Sequence, residues 1–196
     1  MNKGGSESWK FLKEVYDSKN LPFDSVDEFV FWGRSNVGKS SLINSLTNTN
    51  LAKISRTPGR TKSLIFYELK EKIRLVDFPG YGFSKISKKE KKNLDLLINF
   101  YFEKRENIKK IFLLIDSRHG FKSIDKIIFQ SLEQIFSNKI CLVLTKIDKK
   151  KKNENLKELI PNNIRSDFQM KKNLFITSIK EVNGIILLKK FLFNSL

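Results

Sequence analysis

A short apolar run, DEFVFWG at residues 27–33, passes directly into GRSNVGKSSLIN at 33–44, and no other stretch of the chain limits its fold so tightly. The run reads as a buried strand, and Leu42, Ile43 and Leu46 recur on one face of a helix over 39–48. Between them Gly33 and Gly38 bracket four residues, followed by Lys39 and Ser40, which fits G-x-x-x-x-G-K-[ST]. The glycines permit backbone shapes closed to other residues, so that successive N–H groups line a concavity in front of the positive end of the helix. Polyphosphate is the guest such a turn suits, with Lys39 on the β and γ phosphates and the Ser40 hydroxyl on Mg²⁺.

The remaining elements fit around this unit. SLIFYEL (63–69) and KIRLVDF (72–78), joined by Lys70 and Glu71, read as a hairpin. Helical stretches at 88–106, 124–136, 153–159 and 185–193 alternate with the runs KIFLLID, ICLVLTKID and NLFITSI. That alternation predicts an α/β fold, a mostly parallel sheet covered by helices on both faces. Residues 50–62 are polar and contain Pro58 and Gly59, which predicts a long loop.

With 196 residues, 40% of them hydrophobic, the chain suits a single domain. No apolar run approaches the ~20 residues of a membrane span, and residues 1–20 lack a signal-peptide core, so no membrane span and a cytoplasmic location are expected. The single cysteine, Cys141, lies in an apolar run and reads as core. The net charge of +17 favours polyanions as partners, nucleic acid included, although an AT-rich genome would also enrich lysine. The Lys-rich patches at 88–92 and 149–152 flank helices, as solvated faces or as binding surfaces.

Three further segments bear chemistry. DFPG, from Asp77 to Gly80, ends an apolar run, where a carboxylate holds Mg²⁺ through water and the Gly80 N–H meets a γ phosphate. TKID ends another run. The Asp148 carboxylate there can accept from guanine N1–H and N2–H, donors that adenine lacks, while the Lys146 stem lies along the ring. TSI, at Thr177, Ser178 and Ile179, can offer backbone N–H to guanine O6. Thr61, in the long loop, can close on Mg²⁺ in the manner of an order–disorder switch. His119 reads as a turn residue, and Arg56, Arg60 and Arg118 as solvated or phosphate-contacting loop arginines.

GRSNVGKSSLIN, TPGRT, VDFPGYGFSK, LIDSRHG and TKID together closely resemble the EngB (YsxC/YihA) family of bacterial ribosome-biogenesis GTP-binding proteins, within the TrmE-Era-EngA-EngB-septin-like GTPases. The resemblance runs from about Asp27 to the end. It implies a P-loop GTPase (G) domain over 27–196, with a six-stranded, mostly parallel sheet and one antiparallel edge strand, and an extension at 1–26 packed on it. By resemblance the phosphate loop comprises Gly33, Arg34, Ser35, Asn36, Val37, Gly38, Lys39, Ser40 and Ser41. Further nucleotide contacts carry over to Gly59, Arg60, Thr61, Lys62 and Ser63, to Asp77, Phe78, Pro79 and Gly80, to Thr145, Lys146, Ile147 and Asp148, and to Thr177, Ser178 and Ile179. Lys39 and Thr61 take the catalytic roles, and Ser40 and Thr61 hold Mg²⁺. The partners implied are GTP or GDP and the large ribosomal subunit or its precursor, for a monomer with a role in cell division and septation. The chain departs from the family at Lys62, where Gln is frequent, and at Trp32, which is bulkier than the pattern.

Two expectations concern rate. Tyr81 stands where Ras-like domains carry a water-orienting Gln, which predicts slow intrinsic hydrolysis. Asn36 is placed as in relatives where this side chain helps hold K⁺ near the phosphates; preservation of loop shape is its other reading. Two rival functions are a GTP-dependent interaction protein of the division apparatus, and a P-loop kinase or ATPase, against which TKID argues.

Overall fold

A computed structural model describes residues 8–53, 62–82, 87–150, 159–162, 164 and 173–195. Gly59, Arg60 and Thr61, together with Arg56 and nearly all of the helix expected at 153–159, lie outside the described residues.

The sheet has seven strands: β1 (Lys10–Val15), β2 (Asp27–Gly33), β3 (Leu64–Leu69), β4 (Ile73–Asp77), β5 (Ile108–Asp116), β6 (Ile140–Thr145) and β7 (Leu174–Ile176). Their spatial order is β1-β3-β4-β2-β5-β6-β7. β2 pairs in parallel with β4 and β5, and the series continues in parallel through β6 to β7. β3 is antiparallel to both β4 and β1. The doubly covered, mostly parallel sheet with antiparallel pairing at its edge is therefore as the sequence predicts, but it contains seven strands rather than six. The added strand is β1, which comes from the segment before Asp27 and forms the edge itself.

Helices α1 (Lys39–Thr47), α2 (Lys88–Lys104), α3 (Ser123–Phe136) and α4 (Val182–Asn194) cover the two faces. Period-two alternation sorts the strand residues between them. Phe29, Phe31, Phe112, Leu114 and Val143 pack with Leu42, Ile43 and Leu46 of α1 and with Ile185, Leu188 and Leu192 of α4. Val30, Trp32, Val76, Leu113 and Leu142 face the other way, onto Leu97, Ile98 and Tyr101 of α2 and onto Phe129 and Leu132 of α3. Cys141 is a fully buried member of the first layer, and burial pushes its thiol up to about 12. Among the described residues, no helix is long and apolar enough to cross a membrane.

The β3–β4 hairpin turns through Lys70, Glu71 and Lys72: Lys70 and Glu71 both have positive φ (56° and 55°), the twist that hairpin turns favour, and the Lys72 N–H donates to the Leu69 carbonyl at 3.1 Å. After β2 the chain builds β3 and β4 on one side of it and then crosses through α2 to β5 on the other. This reversal opens a crevice at the carboxyl end of β2, the place where open α/β sheets bind ligands.

Candidate nucleotide-binding site

The loop leaving β2 is shaped by its backbone. Gly38 has φ of 107°, a conformation that side chains resist, and it precedes α1 without a side-chain cap, so the first N–H groups of the helix face the crevice. Gly33 answers to space rather than to torsion: a Cβ there would meet the Leu114 carbonyl oxygen at 2.9 Å and Val37 Cγ1 at 3.0 Å. Asn36 is exposed at the loop tip with φ of 61°. The Val37 N–H donates to the Arg34 carbonyl at 3.1 Å and closes the turn.

The segment after β4 lies against this loop. The Ser35 N–H donates to the Tyr81 carbonyl (3.1 Å), the Tyr81 N–H to the Gly33 carbonyl (3.3 Å) and the Ser35 hydroxyl to the Gly80 carbonyl (3.3 Å). Lys39, at the start of α1, forms an ion pair with Asp77 at the end of β4, both side chains being over 90% buried. Burial pushes the Asp77 carboxyl up, and the Lys39 charge opposes that rise. Phe78 turns its ring into the core, 5.1 Å from Tyr101, and its N–H donates to the Phe31 carbonyl at 3.0 Å. The Trp32 indole N–H donates to the Pro79 carbonyl at 3.1 Å and the ring packs edge-on against Phe78 and Tyr81; the bulk of this residue thus braces the segment carrying Gly80.

Tyr81, bonded to the loop through its backbone, has its side chain committed to α3. Its hydroxyl donates to Asp125 Oδ1 at 2.8 Å, and Arg34 lies 3.6 Å from the other oxygen of the same buried carboxylate. Burial, then the Asp125 charge, keeps the phenol protonated far above its ordinary range. Asp125 also accepts the Lys122 N–H at the start of α3. The sequence carries no mark of this role, because Asp125 reads as an ordinary first-turn acid.

The carboxyl end of β6 borders the loop on the other side. The Thr145 hydroxyl donates to the Val37 carbonyl at 2.7 Å. Lys146, itself at φ of 57°, lays its stem beside Gly38 and donates from Nζ to the Asn36 carbonyl (2.5 Å) and to Asp116 (2.9 Å). Burial raises the Asp116 carboxyl, but its hydrogen bonds from Arg118 and Lys146 outweigh burial and hold it well below the usual carboxylate range. Asp148 accepts from the Ser178 hydroxyl at 2.7 Å, which fixes its carboxylate, and Lys180 stands 3.9 Å away. Thr177 ties this segment back to β6 through the Leu144 carbonyl, and its own carbonyl accepts the Ile147 N–H. Ile179 is exposed, and so is His119, whose N–H closes a turn on the Asp116 carbonyl.

The segments 33–41, 77–80, 145–148 and 177–178 thus converge on one crevice. Lys62 and Ser63 engage elsewhere: Lys62 Nζ donates to Glu90 at 2.8 Å and the buried Ser63 hydroxyl to Glu14 at 2.5 Å. The Lys62 bond, with those from Ser87, holds the Glu90 carboxyl down at about 2. For a metal, the described residues contain no cluster of three or more His, Cys, Asp or Glu. The donors present are the Ser40 hydroxyl, for which the described residues provide no hydrogen-bond partner, and the Asp77 carboxylate at the neighbouring strand end. A few hard oxygens of this kind suit Mg²⁺, which keeps its waters and takes phosphate oxygens rather than a protein cage.

A family profile described as 50S ribosome-binding GTPase matches residues 28–146. The chain is 40% identical over 180 residues to the probable GTP-binding protein EngB of Metamycoplasma arthritidis (strain 158L3-1), covering 90% of this chain and 94% of that protein. Against the probable GTP-binding protein EngB of Mycoplasmopsis synoviae (strain 53) the identity is 48% over 149 residues, 74% of this chain and 79% of that one. A crystal structure of a probable GTP-binding protein engB superposes with a TM-score of 0.64 at 27% identity, covering 86% of this chain and 97% of that one. A phosphate-loop crevice on a seven-stranded G-domain sheet, a GTPase profile over most of that sheet, and relatives of this identity matched over most of their length converge: the chain belongs to the EngB family of GTP-binding proteins.

Proposed function

We propose that the crevice binds GTP and hydrolyses it slowly to GDP and phosphate, and that the two nucleotide states switch the protein on and off the large ribosomal subunit or its precursor. The observation that carries this reading is the hydrogen bond of Thr145 to Val37, which joins the strand end bearing Lys146 and Asp148 to the loop bearing Lys39. One ligand with a guanine at one end and phosphates at the other fits both.

In this reading Lys39 exchanges the Asp77 carboxylate for β and γ phosphate oxygens, and the N–H groups of 34–40 surround the same oxygens. Asp148, oriented by Ser178, accepts the guanine N1–H and N2–H, and the Lys146 stem covers the base. Mg²⁺ on Ser40 and Thr61, with Asp77 reaching it through water, would neutralise charge on the transferring phosphoryl group. Tyr81 has its hydroxyl committed to Asp125, so the side chain at this position does not orient the attacking water, and hydrolysis is slow without a partner. Asn36, exposed at the loop tip, is the side chain from which K⁺ would be held; a faster turnover in KCl than in NaCl at equal ionic strength tests that role.

The protein acts as a cytoplasmic monomer, and the division and septation role follows from ribosome supply. Cosedimentation with large-subunit particles in a GTP analogue but not in GDP is the expected result. Septal localisation without particle binding in either nucleotide would instead favour the division-apparatus reading, and equal competition by ATP for a fluorescent GDP analogue would remove the guanine assignment.

A further inference from the structure

The outward face of α2 takes no part in the crevice and has a composition of its own. Lys88, Lys89, Lys91 and Lys92 are all exposed, and none has an acidic partner among the described residues. Glu90, the acid within that run, is already taken: it accepts from the Ser87 N–H and hydroxyl and from Lys62. One and two turns further along, Leu96 is 58% and Phe100 40% exposed, while Leu97, Ile98 and Tyr101 anchor the opposite side of the helix in the core. Lys88, Lys92, Leu96 and Phe100 follow one another at four-residue steps and so form a continuous strip, basic at one end and apolar at the other. A shallow groove along it is lined by Lys88, Lys91, Lys92, Leu96 and Asn99, with one carboxylate, Asp95, set among three lysines.

We propose that this strip, with Lys89 and Lys91 beside it, binds RNA, the four lysines on backbone phosphates and Leu96 and Phe100 against an unstacked base. Charge complementarity selects a polyanion, and a net charge of +17 draws it in from a distance. The exposed aromatic beside the charges selects a nucleic acid with accessible bases, since base stacking on such rings is the usual companion of phosphate contacts in single-stranded recognition. A lipid surface fits less well, because the main apolar face of α2 is spent on the core. The strip also stands where nucleotide state can reach it. α2 follows the segment carrying Asp77 and Gly80, and its first turn is tied through Glu90 to Lys62, just past the long loop. The inference rests on the ribosomal reading for its biological partner, though not for its physics.

The test uses the full chain with two probes, a fluorescein-labelled mixed-sequence single-stranded RNA of about 20 nucleotides and purified large-subunit particles, each at several KCl concentrations. The triple variant Lys88→Ala, Lys89→Ala, Lys92→Ala is expected to lose at least about tenfold in RNA affinity and to flatten the log–log salt slope by about two. The double variant Leu96→Ala, Phe100→Ala is expected to lose about tenfold with the slope unchanged. GTP turnover without RNA stays at the wild-type level in both, which shows that they fold. Unaltered RNA affinity and slope in the triple variant would overturn the proposal. So would displacement by polyglutamate as effective as by RNA, together with full binding by the double variant, since the strip would then be a site for acidic protein. Particle binding that survives the triple variant leaves the ribosomal reading standing and removes this one; RNA binding that needs α2 in a protein that ignores particles does the reverse.

Discussion

At the amino-terminal end of β2, Glu28 is fully buried and accepts from the Tyr101 hydroxyl (2.7 Å) and from Arg105, with Arg74 3.8 Å away. Arg74 in turn donates to Glu68 and to Asp24, and Lys10 of β1 lies 3.2 Å from Glu68. Five residues along the same strand, at its carboxyl end, buried charge is arranged differently. There Lys39 meets Asp77, Lys146 meets Asp116, and Asp148 has its serine, across loops and helix starts. Both ends hold ion pairs with little solvent. What separates them is the number of partners per charge and the rigidity of what carries them. Arg74, Arg105 and the Tyr101 phenol surround Glu28 and Glu68 on strands and on a helix packed by its neighbours, so that removing Glu28 leaves buried donors without their acceptor, while Lys10 and Asp24 complete the network from its solvent side. At the carboxyl end Asp116 is held by both Arg118 and Lys146, but among the described residues Lys39 and Asp77 form their ion pair with each other alone, and a phosphate can take the place of one.

The comparison can be broken by substitution. Glu28→Ala is expected to have the largest effect, about 3–5 kcal/mol lost in urea unfolding, because it strands the Arg105 guanidinium and the buried Tyr101 hydroxyl, while the GTP affinity of the folded protein stays unchanged. A comparable loss of GTP affinity would mean that the two ends are not separate. Asp148→Ala should behave in the opposite way: about 2 kcal/mol, or roughly 30-fold, in GTP affinity by fluorescence competition, with stability held within about 1 kcal/mol. Asp116 sharpens the contrast through pH. Its folded-state carboxyl titrates below the unfolded value of about 4, so it stabilises the fold above that pH and ceases to do so as the pH falls through the folded value. Asp116→Asn is thus expected to cost about 1–2 kcal/mol at pH 7, in a gap that narrows on acidification below pH 4; a gap of constant size would rule the linkage out. The smallest effect belongs to the hairpin turn at the amino end. Lys70→Asn with Glu71→Gly should raise stability by about 1 kcal/mol, since those residues accept positive φ more readily, and should leave GTP turnover alone.

How far the sequence could be read follows from the range of each interaction. The loop from Gly33 to Ser40, the Asp77 segment and Asp148 are legible because backbone shape and ligand chemistry confine them to a few contiguous residues. β1 is not, because only Val15 of its six residues is fully buried and KFLKEV lacks the alternation of a half-buried strand. Its place in the sheet depends on β3, some fifty residues later. The joining of Asp116 to Lys146 and of Asp125 to Tyr81 and Arg34 likewise depends on which strand ends and helix starts become neighbours. Lys62 looked like a departure from a pattern, and its partner Glu90 lies 28 residues on, across the fold.

The Thr145 hydroxyl has a consequence for how a ligand's parts combine. It reaches the Val37 carbonyl from the strand end that carries Lys146 and Asp148, and the hydroxyl oxygen also lies 3.3 Å from the Ile115 carbonyl. Under the proposed reading, whatever steadies one half of the crevice steadies the other, and reciprocity makes the help equal in both directions. Guanosine and pyrophosphate offered as separate molecules would then favour one another's binding, and an intact nucleotide gains from a joint that belongs to the protein.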